Sequence, residues 1–175
     1  KHSLEKTAAR EADCFTAVSE LTALACRQLL QKETDIVTPD GFDETVIPSA
    51  ARLEEKKQLA RKQLLAVASA ATGQPLADDA WLVAISGRYE FRNKGIDLFR
   101  DALADLNSQQ QLQKDVVAFI LVPAAHTGPR ETIINRLHHA PDSGKEVFLS
   151  THYLQHEQED RIIAAIREKQ LLNTG

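Results

Sequence analysis

A chain of 175 residues, 43% hydrophobic and 26% charged, has the makeup of one folded domain or of one domain plus part of a second. Its net charge of −4 gives no general attraction to nucleic acid or to an anionic membrane, and no apolar run approaches the roughly 20 residues that cross a bilayer. The opening KHSLEKTAAREAD is charged rather than signal-like, the two cysteines lack metal-type spacing and fit a reducing cytoplasm, and methionine is absent even at position 1, which leads us to expect a fragment.

Residues 3–12 are rich in Ala, Glu and Lys and predict a helix. CFTAVS, 14–19, has the aromatic and β-branched content of a short strand. Ser19 is placed to cap a helix over ELTALACRQLLQK, with Leu21, Leu24 and Leu29 on one face. DIVTPDG, 35–41, predicts a strand ending in a Pro-Asp-Gly turn, and FDETVIPSA reads as a connection. Residues 50–71 predict a long helix with a charged middle, EEKKQLARKQ, and an apolar row through Ala60, Leu64, Val67, Ala68 and Ala71.

TGQPLADD, 72–79, breaks the pattern, and WLVAIS, 81–86, predicts a buried strand. Asn93 is placed to cap a helix carrying Ile96, Phe99, Leu103 and Leu106 on one side. VVAFILVP, 116–123, is almost purely apolar and suits a parallel strand covered on both faces. TGPRETIINRLHH predicts a short helix with Pro129 near its start, KEVFLST, 145–151, a further strand, and EQEDRIIAAIREKQ a closing helix whose acids and bases suit its dipole. Strand and helix alternate throughout, which predicts an α/β fold: a Rossmann-like parallel sheet flanked by helices. The break near residues 40–48 divides it into 1–47, a partial unit, and 48–175.

SGRYEFRNKG, 86–95, carries the chemistry. Arg88, Arg92 and Lys94 collect where a strand hands over to a helix, the place where α/β proteins bind ligands. Gly87 lets the chain turn out of the strand. A cation at a helix start is unfavourable by roughly 0.3–1 kcal/mol unless an anion compensates it. Phosphate is the usual guest there: Arg88 would fork onto two oxygens and Lys94 act as a point charge. The competing reading is a solvated turn whose cations pair loosely with Glu90 and Asp97. The residues alone leave both open and do not name the anion.

Other constellations carry less. His138, His139, His152 and His156 invite a metal reading, because His152 and His156 are spaced i, i+4. His152, however, is expected at a strand end, and no metal is expected. Cys14 and Cys26 are read as buried packing, Trp81 as core rather than as a sugar platform, and EEKKQLARKQ as a solvated helix face rather than a nucleic-acid patch.

The wording of the sequence adds a resemblance. SGRYEFRNKGIDLFRDAL resembles the donor-binding segment of the glycogen synthases of the animal and fungal type. DCFTAVSELTALACRQLL with DIVTPDGF, then VVAFILVPA, then FLSTHYL with IREKQLLN resemble further segments of that family in the same order, from about residue 2 to residue 173. The resemblance implies a retaining glycosyltransferase of the GT-B architecture, two Rossmann-like domains facing a cleft. Residues 1–47 would then end the acceptor-side unit, and 48–175 would form an incomplete nucleotide-sugar-binding domain. It implies glucose transfer from a nucleotide sugar, UDP-glucose in this branch, to the 4-hydroxyl end of an α-1,4-glucan, with no metal or other cofactor. Arg88 and Lys94 match the family's donor-diphosphate cations, with Gly87, Gly95 and Arg92 in support; Arg92 stands where a small polar residue is usual. The acceptor side and a glutamate-containing loop near the sugar are assigned to segments outside this chain. No complete catalytic set is therefore expected in it, and the chain alone is expected to be inactive. No nucleic-acid or membrane partner is implied, and assembly with copies of itself is left open. Two alternatives stay beside this reading: an enzyme of the same architecture with another donor or acceptor, and a non-catalytic module that binds a nucleotide sugar or a partner.

Overall fold

Alternating short apolar strands and amphipathic helices bury their carbon by layering helices on small sheets. The computed structural model describes residues 2–109, 112–139 and 146–172. The chain divides into two units, 1–50 and 51–175.

In the first unit, α1 (His2–Glu11) precedes β1 (Thr16–Ala17), α2 (Glu20–Leu30) and β2 (Ile36–Val37). The strands pair in parallel, Thr16 opposite Ile36 and Ala17 opposite Val37. Asp35 braces the pair: its Oδ2 accepts from Phe15 N at 2.7 Å, and its own N donates to Phe15 O at 2.8 Å. Ser19 caps α2 as expected, its Oγ accepting from Thr22 N at 3.1 Å. The α2 leucines behave differently from the expectation of a packed face. Leu21, Leu24 and Leu29 are all exposed, because two strands of two residues each offer a helix little surface to cover. Cys14 is exposed and Cys26 half-buried, so the buried-packing reading fails for both; each is a free thiol.

In the second unit, α3 (Ala50–Thr72) supplies a core row only in its later half, through Leu65, Ala68 and Ala70. Leu64, expected in that row, is exposed. The charged half of α3 is exposed, as a solvated face should be, except at Arg61, which is half-buried and donates to the backbone of Asp78 and Ala80. β3 (Trp81–Ser86), α4 (Ile96–Ser108) and β4 (Val116–Leu121) form a strand–helix–strand unit. β3 and β4 pair in parallel in unbroken register from Trp81↔Val116 to Ser86↔Leu121. Neither strand has a fully buried residue, so the reading of VVAFILVP as covered on both faces is corrected. Trp81 is corrected too. It is 51% exposed, at the first position of its strand, where a pair of strands leaves one face open.

The chain then departs from an all-parallel plan. β5 (His126–Pro129) pairs antiparallel with β6 (His152–Leu154), with α5 (Glu131–His138) between them. Pro129 therefore lies in a strand, not in the helix, and residues 146–151 form no strand; Lys145 lies outside the described residues. Arg130, only 8% exposed, sets this arrangement. Its N donates to Thr151 O at 3.0 Å, its Nε to Ser150 O at 3.0 Å, and its guanidinium pairs with Glu157. The side chain is sandwiched near Phe148 and Tyr153. A short 3-10 turn (Glu157–Glu159) leads into α6 (Arg161–Glu168), capped by Asp160, whose Oδ1 accepts from Ile163 N at 2.9 Å. α6 packs on α4. No helix among the described residues is long and apolar enough to cross a membrane.

Candidate functional site

The ladder between β3 and β4 runs one step past the strands, Gly87 N donating to Leu121 O at 3.2 Å. SGRYEFRNKG thus leaves the sheet at its carboxyl edge. There the chain tightens into successive turns: Glu90 N donates to Arg88 O at 2.7 Å, Lys94 N to Glu90 O at 3.0 Å, and Gly95 N to Arg92 O at 3.0 Å. Gly95 is the N-cap of α4 with φ +70° and ψ +21°, a left-handed conformation that glycine adopts without penalty. Asn93, expected in that role, reaches back to Glu90 Oε2 at 3.4 Å instead, because the turn delays the helix by two residues.

The turn brings Lys94 back over the strand end. A Cβ on Gly87 would meet Lys94 Cδ at 3.5 Å and Cγ at 3.6 Å, so the aliphatic stem lies across the residue that precedes Arg88. Arg88 is 75% exposed at its side chain and pairs with Glu90 at 3.1 Å. Arg92 and Lys94 are exposed and make no ion pair among the described residues. Asp97, the other carboxylate expected to neutralise the turn, accepts from Leu98 N at 2.9 Å. Three cations thus stand against two carboxylates at a helix start, and among the described residues only Glu90 forms an ion pair with one of them.

The energetics favour exchange. An exposed pair such as Arg88–Glu90 contributes about 0–1 kcal/mol. A bidentate guanidinium–phosphate contact is stronger and directional. A phosphate-bearing anion at this turn would compete with one weak ion pair at Arg88 and, among the described residues, with none at Lys94.

Sequence reasoning missed the residue that holds this turn. Tyr89 Oη donates to Asp160 Oδ2 at 2.7 Å and accepts from Ile162 N at 3.4 Å, both at the start of α6. Burial, followed by the Asp160 hydrogen bond, pushes the Tyr89 phenol up to about 12. The available signal was a tyrosine inside a charged turn together with an aspartate at the cap position of DRIIAAI.

Other candidate sites are less well made. His152 lies in β6 and His156 just before the 3-10 turn, so their i, i+4 spacing falls on no helix. His126 and His152 face each other instead, rings 4.5 Å apart. Among the described residues no three metal-ligating side chains converge. An open cleft of about 680 Å³ lies at the opposite end of β3, beside Trp81, Gln58, Asp78 and Asp79. Two of its charges are engaged, Asp79 with Lys114 at 2.8 Å and Arg61 with the backbone of Asp78 and Ala80.

A family model described as glycogen synthase matches residues 1–133. The chain belongs to the glycogen synthase family. It is 32% identical over 130 residues to glycogen (starch) synthase isoform 2 of Saccharomyces cerevisiae, covering 71% of this chain and 18% of that protein. It is 32% identical over 135 residues to glycogen (starch) synthase of Dictyostelium discoideum, with 71% and 15% coverage. To the liver glycogen (starch) synthase of Mus musculus it is 29% identical over 133 residues, with 71% and 18% coverage. The chain thus spans less than a fifth of the length of these glycogen synthases, and the family match takes in the whole turn from Ser86 to Gly95.

Proposed function

We propose that this chain contributes the donor-diphosphate site of a glycogen synthase-type glucosyltransferase. In this reading the full-length protein moves glucose from UDP-glucose to the 4-hydroxyl end of an α-1,4-glucan with retention of configuration. Arg88 and Lys94 hold the diphosphate, with Gly87, Gly95 and Arg92 in support. Their role is electrostatic. Negative charge grows on the phosphate oxygen as the sugar bond breaks, and cations already held on the bound diphosphate stabilise it. The observation that carries this reading is the turn itself, with weakly held cations gathered at the carboxyl edge of a parallel strand pair.

The same reading assigns 1–47 to the end of the acceptor-side unit and 48–175 to a Rossmann-like donor domain of a GT-B enzyme. The parallel β3–α4–β4 unit supports that assignment. It places the work in the cytoplasm, requires no metal, and expects the isolated chain to be inactive. The test is titration of UDP-glucose and ADP-glucose against the full-length protein. UDP-glucose is expected to bind more tightly, and loss of Arg88 is expected to weaken both. Donor binding that ignores Arg88 overturns the reading.

A further inference from the structure

The turn that carries Arg88 and Lys94 is bonded to the start of α6 at one end and runs at the other into α4, which packs on the same helix. At the near end, Tyr89 Oη lies 2.7 Å from Asp160 Oδ2 and 3.4 Å from Ile162 N. At the far end, the turn runs into α4 through Ile96, which is 1% exposed. α4 packs on α6 and is tied to its other end by Arg100–Glu168 at 4.0 Å and Asp101–Lys169 at 3.9 Å.

Asp160 does two jobs with its two carboxylate oxygens. Oδ1 caps α6 at Ile163 N, and Oδ2 accepts the hydrogen bond of the tyrosine hydroxyl. Arg88, next to Tyr89 in the chain, has no comparable restraint on its own side chain. Its ion pair with Glu90 is exposed and weak. The direction in which Arg88 leaves the backbone is therefore set by its neighbour. With the backbone at its base held in this way, the Arg88 side chain has only its own rotamers to order when its ligand arrives.

We propose that Tyr89 is a positioning residue for donor binding: clamped by Asp160, its hydroxyl fixes the turn so that Arg88 and Lys94 converge on the diphosphate of a nucleotide sugar. This inference rests on the diphosphate reading above, and its test separates the two.

Donor kinetics are compared in the full-length protein for Arg88→Ala, Tyr89→Phe and the double variant. Phenylalanine keeps the ring and loses only the hydroxyl. Tyr89→Phe is expected to lower kcat/KM for the donor by about tenfold, the scale of a hydrogen bond to a charged group. The loss falls mainly on donor KM, with acceptor KM unchanged. Added to Arg88→Ala, it costs a smaller further factor than in the parent, because one of the two cations it positions is gone. Asp160→Ser still offers an oxygen to cap α6 but no second oxygen to accept from Tyr89, and it is expected to reproduce the Tyr89→Phe loss. If Arg88→Ala impairs the donor but Tyr89→Phe does not, the positioning role is overturned and the diphosphate reading stands. The positioning role is likewise overturned if Tyr89→Phe costs an equal factor in both backgrounds, or if Asp160→Ser keeps full donor kinetics. If Arg88→Ala leaves donor kinetics intact, the diphosphate reading itself falls.

Discussion

Lys94 lies across Gly87 so closely that a Cβ on the glycine would sit 3.5 Å from Lys94 Cδ. The contact joins the last step of the β3 ladder to the residue just before the N-cap of α4. It uses the carbon stem of the lysine, in a residue that stays exposed within the turn that carries Arg88. Packing and charge are thus divided along one side chain.

That division predicts how two variants differ. Lys94→Met keeps a stem over Gly87 and loses the charge. It is expected to melt like the parent and to raise donor KM by about tenfold or more. Lys94→Ala loses both, so it is expected to show the same defect in donor KM with a slightly lower Tm. Thermal melts and donor saturation curves check both outcomes.

Gly95 holds φ +70° at the start of α4, with nothing within 4 Å of where a Cβ would stand. Gly95→Ala therefore meets no clash, only the backbone cost of a left-handed residue. It is expected to destabilise by roughly 1–2 kcal/mol, and Gly95→Asn by less. Urea denaturation of the two variants measures the difference.

Tyr89 makes stability depend on alkaline pH. Its phenol is pushed up to about 12, first by burial and then by Asp160, from an ordinary value of 10.0. Between those values the folded protein keeps a proton that the unfolded chain has released, so stability falls as pH rises for a group whose folded pKa is raised. The contribution is intact below pH 10 and lost through pH 12. The stability gap between the parent and Tyr89→Phe is expected to narrow over that window, as read from urea midpoints at about pH 9, 10 and 11.

The Arg130–Glu157 pair holds β5, β6 and the approach to α6 together, with Arg130 only 8% exposed. Removing one partner leaves the other charge uncompensated. Glu157→Gln is expected to cost about 3 kcal/mol. Arg130→Lys is expected not to preserve stability, because an ammonium cannot match the planar fork that bonds Ser150 while stacked near Phe148 and Tyr153. Denaturation midpoints of the two variants check this.

Much of the local order is legible in the residues. Ser19 caps where a cap is expected, and the βαβ rhythm around residues 81–121 follows from an apolar run, an amphipathic run and a second apolar run. The cation cluster is visible because its charge runs against the helix dipole. What the residues do not announce is long-range. Nothing near Pro129 signals that it pairs with His152, since the pairing depends on a buried arginine reaching Ser150 and Thr151. An apolar strand generally places a tryptophan in the core. The exposure of Trp81 depends on how many strands flank it, which no local pattern records. The Tyr89–Asp160 bond spans 71 positions and leaves no periodic trace.

The central claim is a diphosphate held by Arg88 and Lys94, and the most direct measurement is the dissociation constant of UDP for the full-length protein with both residues changed to alanine. UDP is expected to bind at least about a hundredfold more weakly, two charge-assisted contacts having been lost, while the melting temperature stays near that of the parent. UDP binding as tight as the parent's, in a variant that is folded, contradicts the claim.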